Sequence, residues 1–574
     1  MNRFAALLDS LLLTPSRNGK LRLMREYFAT TGDPERGWAL AALTGELSFA
    51  AAKPSQVRDL AISRVDPKLF AWSLDFVGDL AETVALIWPE QQASPPPNPP
   101  PSRGRASTLS PKGTLPHDGR GQGGGDLTNS PVPSLTQIVA TLAGASRGEV
   151  GAHLAPWLDG IDATGRWALL KLVTGSLRIG VSARLAKLAL AGLSAQAQLA
   201  PVGGRISDAP GSGAEIARIE EVWHALSPPY GALFQWLEGR AAPPPTGDLP
   251  TFCPLMLATP LEAGYLAGLD PRDYCAEWKW DGIRVQLVGR GGERRLYSRS
   301  GDDIGGAFPD IVEAMPADVT LDGELLVLRG DEVAPFNDLQ QRLNRKSPNA
   351  AMLRDFPAAV RLYDMLREGG DDLRGLAFAE RRELLEKWFG ARPRDRLDLS
   401  PLIAFAGWDE LQALRDGARG RGIEGIMLKR VDSLYISGRP KGPWFKWKRG
   451  ALTIDAVLMY AQRGHGKRSS FYSDYTFGAW AGDALVPVGK AYSGFTDEEL
   501  RRLDKWVRDN TTNRYGPVRE VTPGLVLEIA FDSVHRSTRH KSGVALRFPR
   551  IHRIRWDKPF READTLAALE AMMT

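Results

Sequence analysis

The stretch that most constrains this chain is Glu277-Trp278-Lys279-Trp280-Asp281-Gly282-Ile283-Arg284. It sets one lysine between two tryptophans, flanks it with carboxylates and follows it with glycine and arginine. A solvent-facing lysine has a pKa of about 10.4 and is protonated at neutral pH, so it has no lone pair with which to attack. Partial desolvation and nearby cations expose the nucleophile. Here Trp278 and Trp280 offer the desolvation, and Lys446 and Lys448, far downstream, the positive field. The octet also reads as a strand lysine paired with Asp281 and packed between rings, and by itself it leaves both readings open.

The octet heads a series. Downstream stand Ser298-Arg299-Ser300-Gly301, Leu321-Asp322-Gly323-Glu324-Leu325, Arg361-Leu362-Tyr363-Asp364-Met365, Glu424-Gly425-Ile426-Met427-Leu428-Lys429 and Trp444-Phe445-Lys446-Trp447-Lys448. The last is Arg547-Phe548-Pro549-Arg550, continuing to Arg555-Trp556-Asp557-Lys558. This ordered series resembles the nucleotidyltransferase motifs of ATP-dependent DNA ligases, from Pro254 to Phe560. Any one motif is weak; the whole series in register is specific.

At 574 residues there is room for three or four domains. The net charge of +5 is mildly basic and compatible with a polyanionic partner. Two cysteines, Cys253 and Cys275, cannot build a disulfide framework or a four-cysteine zinc site, and read as small buried hydrophobes. No apolar run is long enough to span a bilayer, and Met1-Asn2-Arg3-Phe4 does not open a signal peptide. The expectation is a cytoplasmic, nucleoid-associated protein without membrane contact.

Along the chain, Phe4, Leu7, Leu8, Leu11 and Leu12 repeat at helical spacing, and Pro15 and Ser16 break that helix before Leu21, Met24, Tyr27 and Phe28. Further helices are expected at 38–47 and 67–86. From Gln91 to Ser134 proline and then glycine dominate, and such a segment has too little apolar surface to offset its ordering entropy. It reads as a disordered insertion inside a helical domain, or a linker between two halves of it. After Leu135 helical periodicity resumes, and in the run from Trp167 to Ser182, Gly175 reads as a helix C-cap and Ser182 as the next N-cap. Glycine turns between helices expose backbone N–H groups to phosphates, with Lys171 and Arg178 supplying charge beside Gly180. The run resembles the signature of the helical DNA-binding domain of larger DNA ligases. Proline-rich 241–250 reads as a linker. Strands are expected at 284–288, 295–298 and 319–322, and helices at 380–389 and 408–419. Beyond Ala451, runs at Ile454–Met459, Phe477–Ala481 and Val526–Phe531 with a turn at Gly464-His465-Gly466 suggest a small barrel, and the resemblance implies an OB-fold. Lys541, Arg547, Arg550 and His552 would give it a basic face.

The expected architecture is therefore multidomain, α and α+β. It comprises a helical DNA-binding domain at 1–240 interrupted at 91–134, an adenylation domain at 251–450 with antiparallel sheets, and an OB-fold β-barrel at 451–574.

The resemblance assigns the chemistry. Such enzymes seal nicks in duplex DNA in three displacements at phosphorus, and replication, repair and recombination all use the product. Phosphoryl transfer is largely positioning and charge neutralisation. Lys279 is the implied nucleophile that takes AMP from ATP, a role arginine could not fill. Glu324 and Glu424 are the implied ligands for Mg²⁺ or Mn²⁺, and one or two carboxylates suffice for magnesium. Without the resemblance, Leu-Asp-Gly-Glu-Leu reads equally as a turn between strands, with Asp322 orienting it. Tyr363 would stack on adenine, worth about 1–3 kcal/mol, with Glu277 and the Trp278 backbone at its edge. Arg284 and Arg299 would face ribose and phosphate, Arg299 taking the 5′-phosphate of the nick. Lys446 and Lys448 alternate on one strand face and would grip the α-phosphate; Lys429 and Arg439 are either similar or merely solvated. Arg550, Arg555 and Lys558 would orient the pyrophosphate in the first step. The implied partners are ATP and nicked double-stranded DNA, bound by a monomer. Other lysine-nucleotidylating enzymes share the core motifs, NAD-dependent ligases carry a four-cysteine module absent here, and a non-catalytic scaffold would need no nucleophile.

Overall fold

The computed structural model describes residues 1–89, 132–175, 177–194, 212–262, 264–343, 345–391, 395–418, 422–463, 472–492, 496–538 and 540–573. The insertion expected at 91–134 lies almost wholly outside the described residues, as does the turn at 464–466. Two compact units result, Met1–Ser212 with Leu226–Pro243, and Gly213–Ala225 with Pro244–Thr574. Among the described residues no helix is long and apolar enough to cross a membrane.

The first unit is helical. Its opening pair, Asn2–Leu13 and Arg17–Thr30, forms because apolar side chains recur once per turn and Ser16 caps the second helix by accepting from the Gly19 N–H. Phe4, Leu8, Leu11, Leu21, Met24 and Phe28 are buried, whereas Leu12 falls off the stripe and is half exposed. The 67–86 stretch is two helices, Pro67–Val77 and Leu80–Ile87, separated at the left-handed Gly78. The helix Ala163–Val173 ends before a left-handed Gly175, and Ser182 caps Ala183–Ala191 by accepting from the Leu185 N–H.

The second unit begins with the helix Ser212–Val222, then builds two sheets that carry the sequence motifs. One has the strand order Thr259–Pro260, Trp444–Lys448, Ile423–Arg430, Tyr274–Trp280, Leu402–Ile403. The other runs Glu293–Ser298, Ile283–Arg290, Val319–Arg329, Ala358–Glu368, Asp371–Asp372. The chain crosses from the first to the second at Asp281-Gly282, so the octet spans both. Each sheet is dry on one face. Ala276, Ile426, Leu428, Phe445 and Trp447 close the core of the first, while Val285, Leu287, Leu321, Leu325, Val360 and Leu362 pack under the second. Leu321–Leu325 is the middle of an eleven-residue strand and not a turn. Asp322 therefore does not orient a turn: it is buried and accepts from Arg284 and from the Tyr435 hydroxyl.

The C-terminal part is a further sheet domain. Leu452–Arg463 pairs with Tyr472–Ala481, Val518–Val521 and Val526–Phe531. Val526–Phe531 pairs with Arg550–Arg555, which meets Ala484–Tyr492 through one parallel pair. A helix not anticipated from the sequence, Asp497–Asp509, inserts Leu503 and Val507 into this core and is capped by Thr496.

Against the strand Ala358–Glu368 the Arg381 guanidinium meets Asp364 at 2.9 Å, both side chains fully buried. Breaking one side of such a pair leaves an uncompensated charge and costs about 3–5 kcal/mol. Arg381→Ala is expected to lower stability by about that amount in urea unfolding followed by tryptophan fluorescence.

Candidate active site

Register across three strands sets the site. Gly425 lies opposite both Lys279 and Lys448, and Met427 opposite both Glu277 and Lys446. Lys429 lies opposite Cys275 and Trp444. Since directly opposed residues share a face of the sheet, one face carries Lys279, Lys448, Glu277, Lys446 and Lys429. Gly425 makes the row possible: a Cβ there would lie 2.3 Å from the Trp447 carbonyl oxygen, so a side chain cannot fit between the two lysines.

The face floors a cleft of about 450 Å³ that also takes in Arg284, Arg299, Glu324, Tyr363 and Glu424. The Lys279 ammonium donates to Glu424, and Lys448 approaches the same carboxylate at 3.3 Å. Burial pushes the Glu424 carboxyl up, but Lys279 and Lys448 outweigh it and hold the group below its ordinary range. Glu324 has no such pairing. Burial pushes it up to about 8, Lys279 and Arg284 only partly counter this, and the Glu424 charge adds to the rise. Lys446 is lowered by burial first, then by Arg439, Lys448, Lys279 and Arg299.

At the other end Glu277 is buried, 2.9 Å from the Lys429 ammonium and 3.5 Å from Arg382. Burial raises its carboxyl, and both cations oppose the rise. Lys429 is not solvated: it is 2 % exposed, with its ammonium 4.4 Å from the centre of the Tyr363 ring and 4.9 Å from that of Trp444. Arg284 is fixed by a two-pronged contact with Asp322 and by the Met256 carbonyl at 2.7 Å. One end of the cleft is thus flat, aromatic and polar at its edge, and the other is cationic with two carboxylates. An adenine and a chain of phosphates have that same polarity.

Comparison with known proteins agrees with this arrangement. Residues 255–448 match the family described as ATP dependent DNA ligase domain, and residues 468–558 the ATP dependent DNA ligase C terminal region. A probable DNA ligase of Koribacter versatilis is 35% identical over 428 residues, covering 70% of this chain and 71% of that protein. A probable DNA ligase of Anaeromyxobacter sp. is 34% identical, covering 76% of this chain and 82% of its own length. This chain belongs to the ATP-dependent DNA ligases. The solved structure Pmar-Lig_Pre superposes with a TM-score of 0.53 over 97% of the ligase and 99% of its own chain at 16% identity, a likeness of fold.

The cleft of the ligase gathers Lys279, Glu277, Arg284, Arg299, Glu324, Tyr363, Glu424, Lys446 and Lys448. Arg550 and Lys558 are not gathered there. The final motif turns at Phe548, whose backbone is left-handed, and it is Arg547 and Phe548 that reach the cleft. Arg550 opens the strand Arg550–Arg555 and pairs with Asp532 at 3.1 Å; Lys558 and Arg555 both sit on Asp455, at 2.8 and 3.0 Å. Arg547 instead bonds Asp281 of the octet, a partnership that sequence left unread although Asp281 invites a cation. Phe336, which also lines the cleft, carries no sequence signal. In the helical unit Lys171 is committed to the helix-capping Asp79 at 2.6 Å, a structural role, while Arg178 and Gly180 are exposed.

Among the described residues no group of three or more His, Cys, Asp or Glu could hold a metal. Of the carboxylates that line the cleft, Glu277 is paired with Lys429, and Glu324 and Glu424 are the hard donors at the cationic end; burial first, and then the Glu424 charge, raise Glu324. That is the donor chemistry of a magnesium site completed by water and phosphate oxygens.

The raised Glu324 has a consequence for stability. Its carboxyl ordinarily titrates at 4.5 and in the fold at about 8. The unfolded chain then holds fewer protons between those values, so stability present below pH 4.5 is lost as pH climbs to 8. In metal-free buffer, Glu324→Gln is expected to flatten that decline, read as urea midpoints of both proteins at pH 5 and pH 8.

Proposed function

We propose that Lys279 is the nucleophile of this ligase, carrying AMP to the 5′-phosphate of a nick in duplex DNA. The observation that supports it best is the cross-strand row that sets Lys279 and Lys448 on either side of Gly425, with both ammonium groups on the Glu424 carboxylate. The amine attacks the α-phosphorus of ATP, a P–N bond forms, and the α–β bridging P–O bond breaks to release pyrophosphate. The 5′-phosphate oxygen then displaces the amine from AMP, and the 3′-hydroxyl displaces AMP to close the strand.

Tyr363 stacks on adenine, with Glu277 and Lys429 at the base edge. Arg284, already oriented by Asp322, takes the ribose, and Lys446 and Lys448 grip the α-phosphate. Arg299 takes the 5′-phosphate of the nick. Glu324 and Glu424 would hold Mg²⁺, or Mn²⁺, which when bound neutralises phosphate charge and competes with Lys279 for the Glu424 carboxylate. Arg550 and Lys558 would serve the pyrophosphate only by exchanging Asp532 and Asp455 for it.

The strand pairings that return from Ala484–Tyr492 through Arg550–Arg555 to Leu452–Arg463 support reading the C-terminal part as an OB-fold barrel. The helical part, with Arg178 and Gly180 exposed, would bind the duplex as a DNA-binding domain. The adenylation part would join them in the chain, in a cytoplasmic, nucleoid-associated monomer.

The test is incubation with labelled ATP and magnesium. Wild type is expected to become covalently labelled and to seal a nicked duplex, and Lys279→Ala to lose labelling by at least about a thousandfold, the scale of removing a nucleophile. Labelling of the alanine variant at the wild-type rate contradicts the assignment.

A further inference from the structure

The turn that presents Arg299 is clamped from outside the catalytic sheets. Arg299 stands at the tip of Ser298-Arg299-Ser300-Gly301, which closes by the Gly301 N–H donating to the Ser298 carbonyl at 2.9 Å. Gly301 adopts φ +85, a left-handed conformation that glycine accepts without strain. Its carbonyl meets His224 Nε2 at 2.7 Å. A carbonyl only accepts, so Nε2 must carry the proton and donate.

His224 is well placed to hold that contact. Its ring centre lies 4.5 Å from that of Tyr297, the residue before the turn, and 6.0 Å from Phe252. The Tyr297 hydroxyl is itself anchored on the Pro250 carbonyl at 2.5 Å. The segment carrying His224, Gly213–Ala225, belongs to the same compact unit as the cleft, although the chain on both sides of it belongs to the helical unit. A second tie fastens it: Glu221 accepts from Arg374 at 2.6 Å.

We infer that His224 is a positioning residue for Arg299, fixing the far side of the turn so that the guanidinium is aimed at the 5′-phosphate of the nick; this rests on the role proposed for Arg299. An exposed arginine on a four-residue turn otherwise samples many orientations. Holding the fourth residue by a hydrogen bond from a histidine that itself packs against two rings removes that freedom before the DNA arrives. Misplacement of a substrate-gripping group by about 1 Å is enough to slow a reaction up to about a hundredfold.

The test is single-turnover sealing of a pre-adenylated nicked duplex without ATP, for wild type, His224→Phe, His224→Gln, Arg299→Ala and the double variant His224→Phe with Arg299→Ala. Phenylalanine keeps the ring packing and loses the donor; glutamine returns an N–H at the Nε2 position. The expected result is a rate about tenfold lower for His224→Phe, recovery to within about threefold for His224→Gln, and no further loss when His224→Phe is added to Arg299→Ala. A merely structural histidine would slow the Arg299→Ala enzyme by the same factor as wild type, and that result overturns the inference, as does a His224→Phe enzyme of wild-type rate. Arg299→Ala sealing at the wild-type rate overturns it too, but by removing the role given to Arg299. His224→Asn, too short to reach Gly301, runs the same cycle if the phenylalanine variant does not fold.

Discussion

Close approach of three strands at Gly425 is the constraint on which the rest of this ligase depends. Lys279, Gly425 and Lys448 come from segments separated by about 25 to 170 positions in the chain, and only the hydrogen-bonded register brings them into one row. A sheet shifted by one residue would turn Trp278 and Trp447 to the cleft and bury the lysines. Apolar packing of Ala276, Ile426, Leu428 and Phe445 on the reverse face opposes such a slip, since each fully buried side chain contributes about 1.5–3 kcal/mol. The same residues that make the core thus hold the chemistry in register.

Charge in the cleft is deliberately incomplete. Lys279, Lys446, Lys448, Arg284 and Arg299 exceed the carboxylates that answer them, and Asp322 is already spent on Arg284. Burial first, and then neighbouring cations, lower Lys446, and burial first, and then the Glu424 charge, raise Glu324, so a bound anion would relieve part of the one and a bound cation part of the other. The other end works differently, because Glu277 and Lys429 are already paired and buried. It is a preformed edge, whereas the end around Lys446 and Lys448 is a field awaiting charge.

Much of this was legible in the amino-acid order. Alternation in Trp-Lys-Trp and Trp-Phe-Lys-Trp-Lys marks strands with one wet face, and both proved to be so. The helical stripes at Phe4–Leu11 and Leu135–Leu142 were equally plain. Long-range partners were not. Nothing local tells Asp281 that its cation is Arg547, or Lys429 that Glu277 removes it from solvent. Arg550 and Lys558 took their role from the resemblance of the final motif, but in the fold they pair with Asp532 and Asp455. Asp322-Gly323 looks like a turn by composition, and tertiary pairing with Ala358–Glu368 makes it mid-strand instead. His224 stands in an unremarkable helix end, with its partner carbonyl 77 residues on.

The most direct measurement is peptide mapping of wild-type protein after brief exposure to ATP and magnesium. The account predicts one AMP mass increment, on the peptide containing Lys279, released by acid as a phosphoramidate is and removed by added pyrophosphate. An increment confined to the peptides of Lys429, Lys446 or Lys448 would contradict it, as would a stoichiometric adduct that resists both treatments.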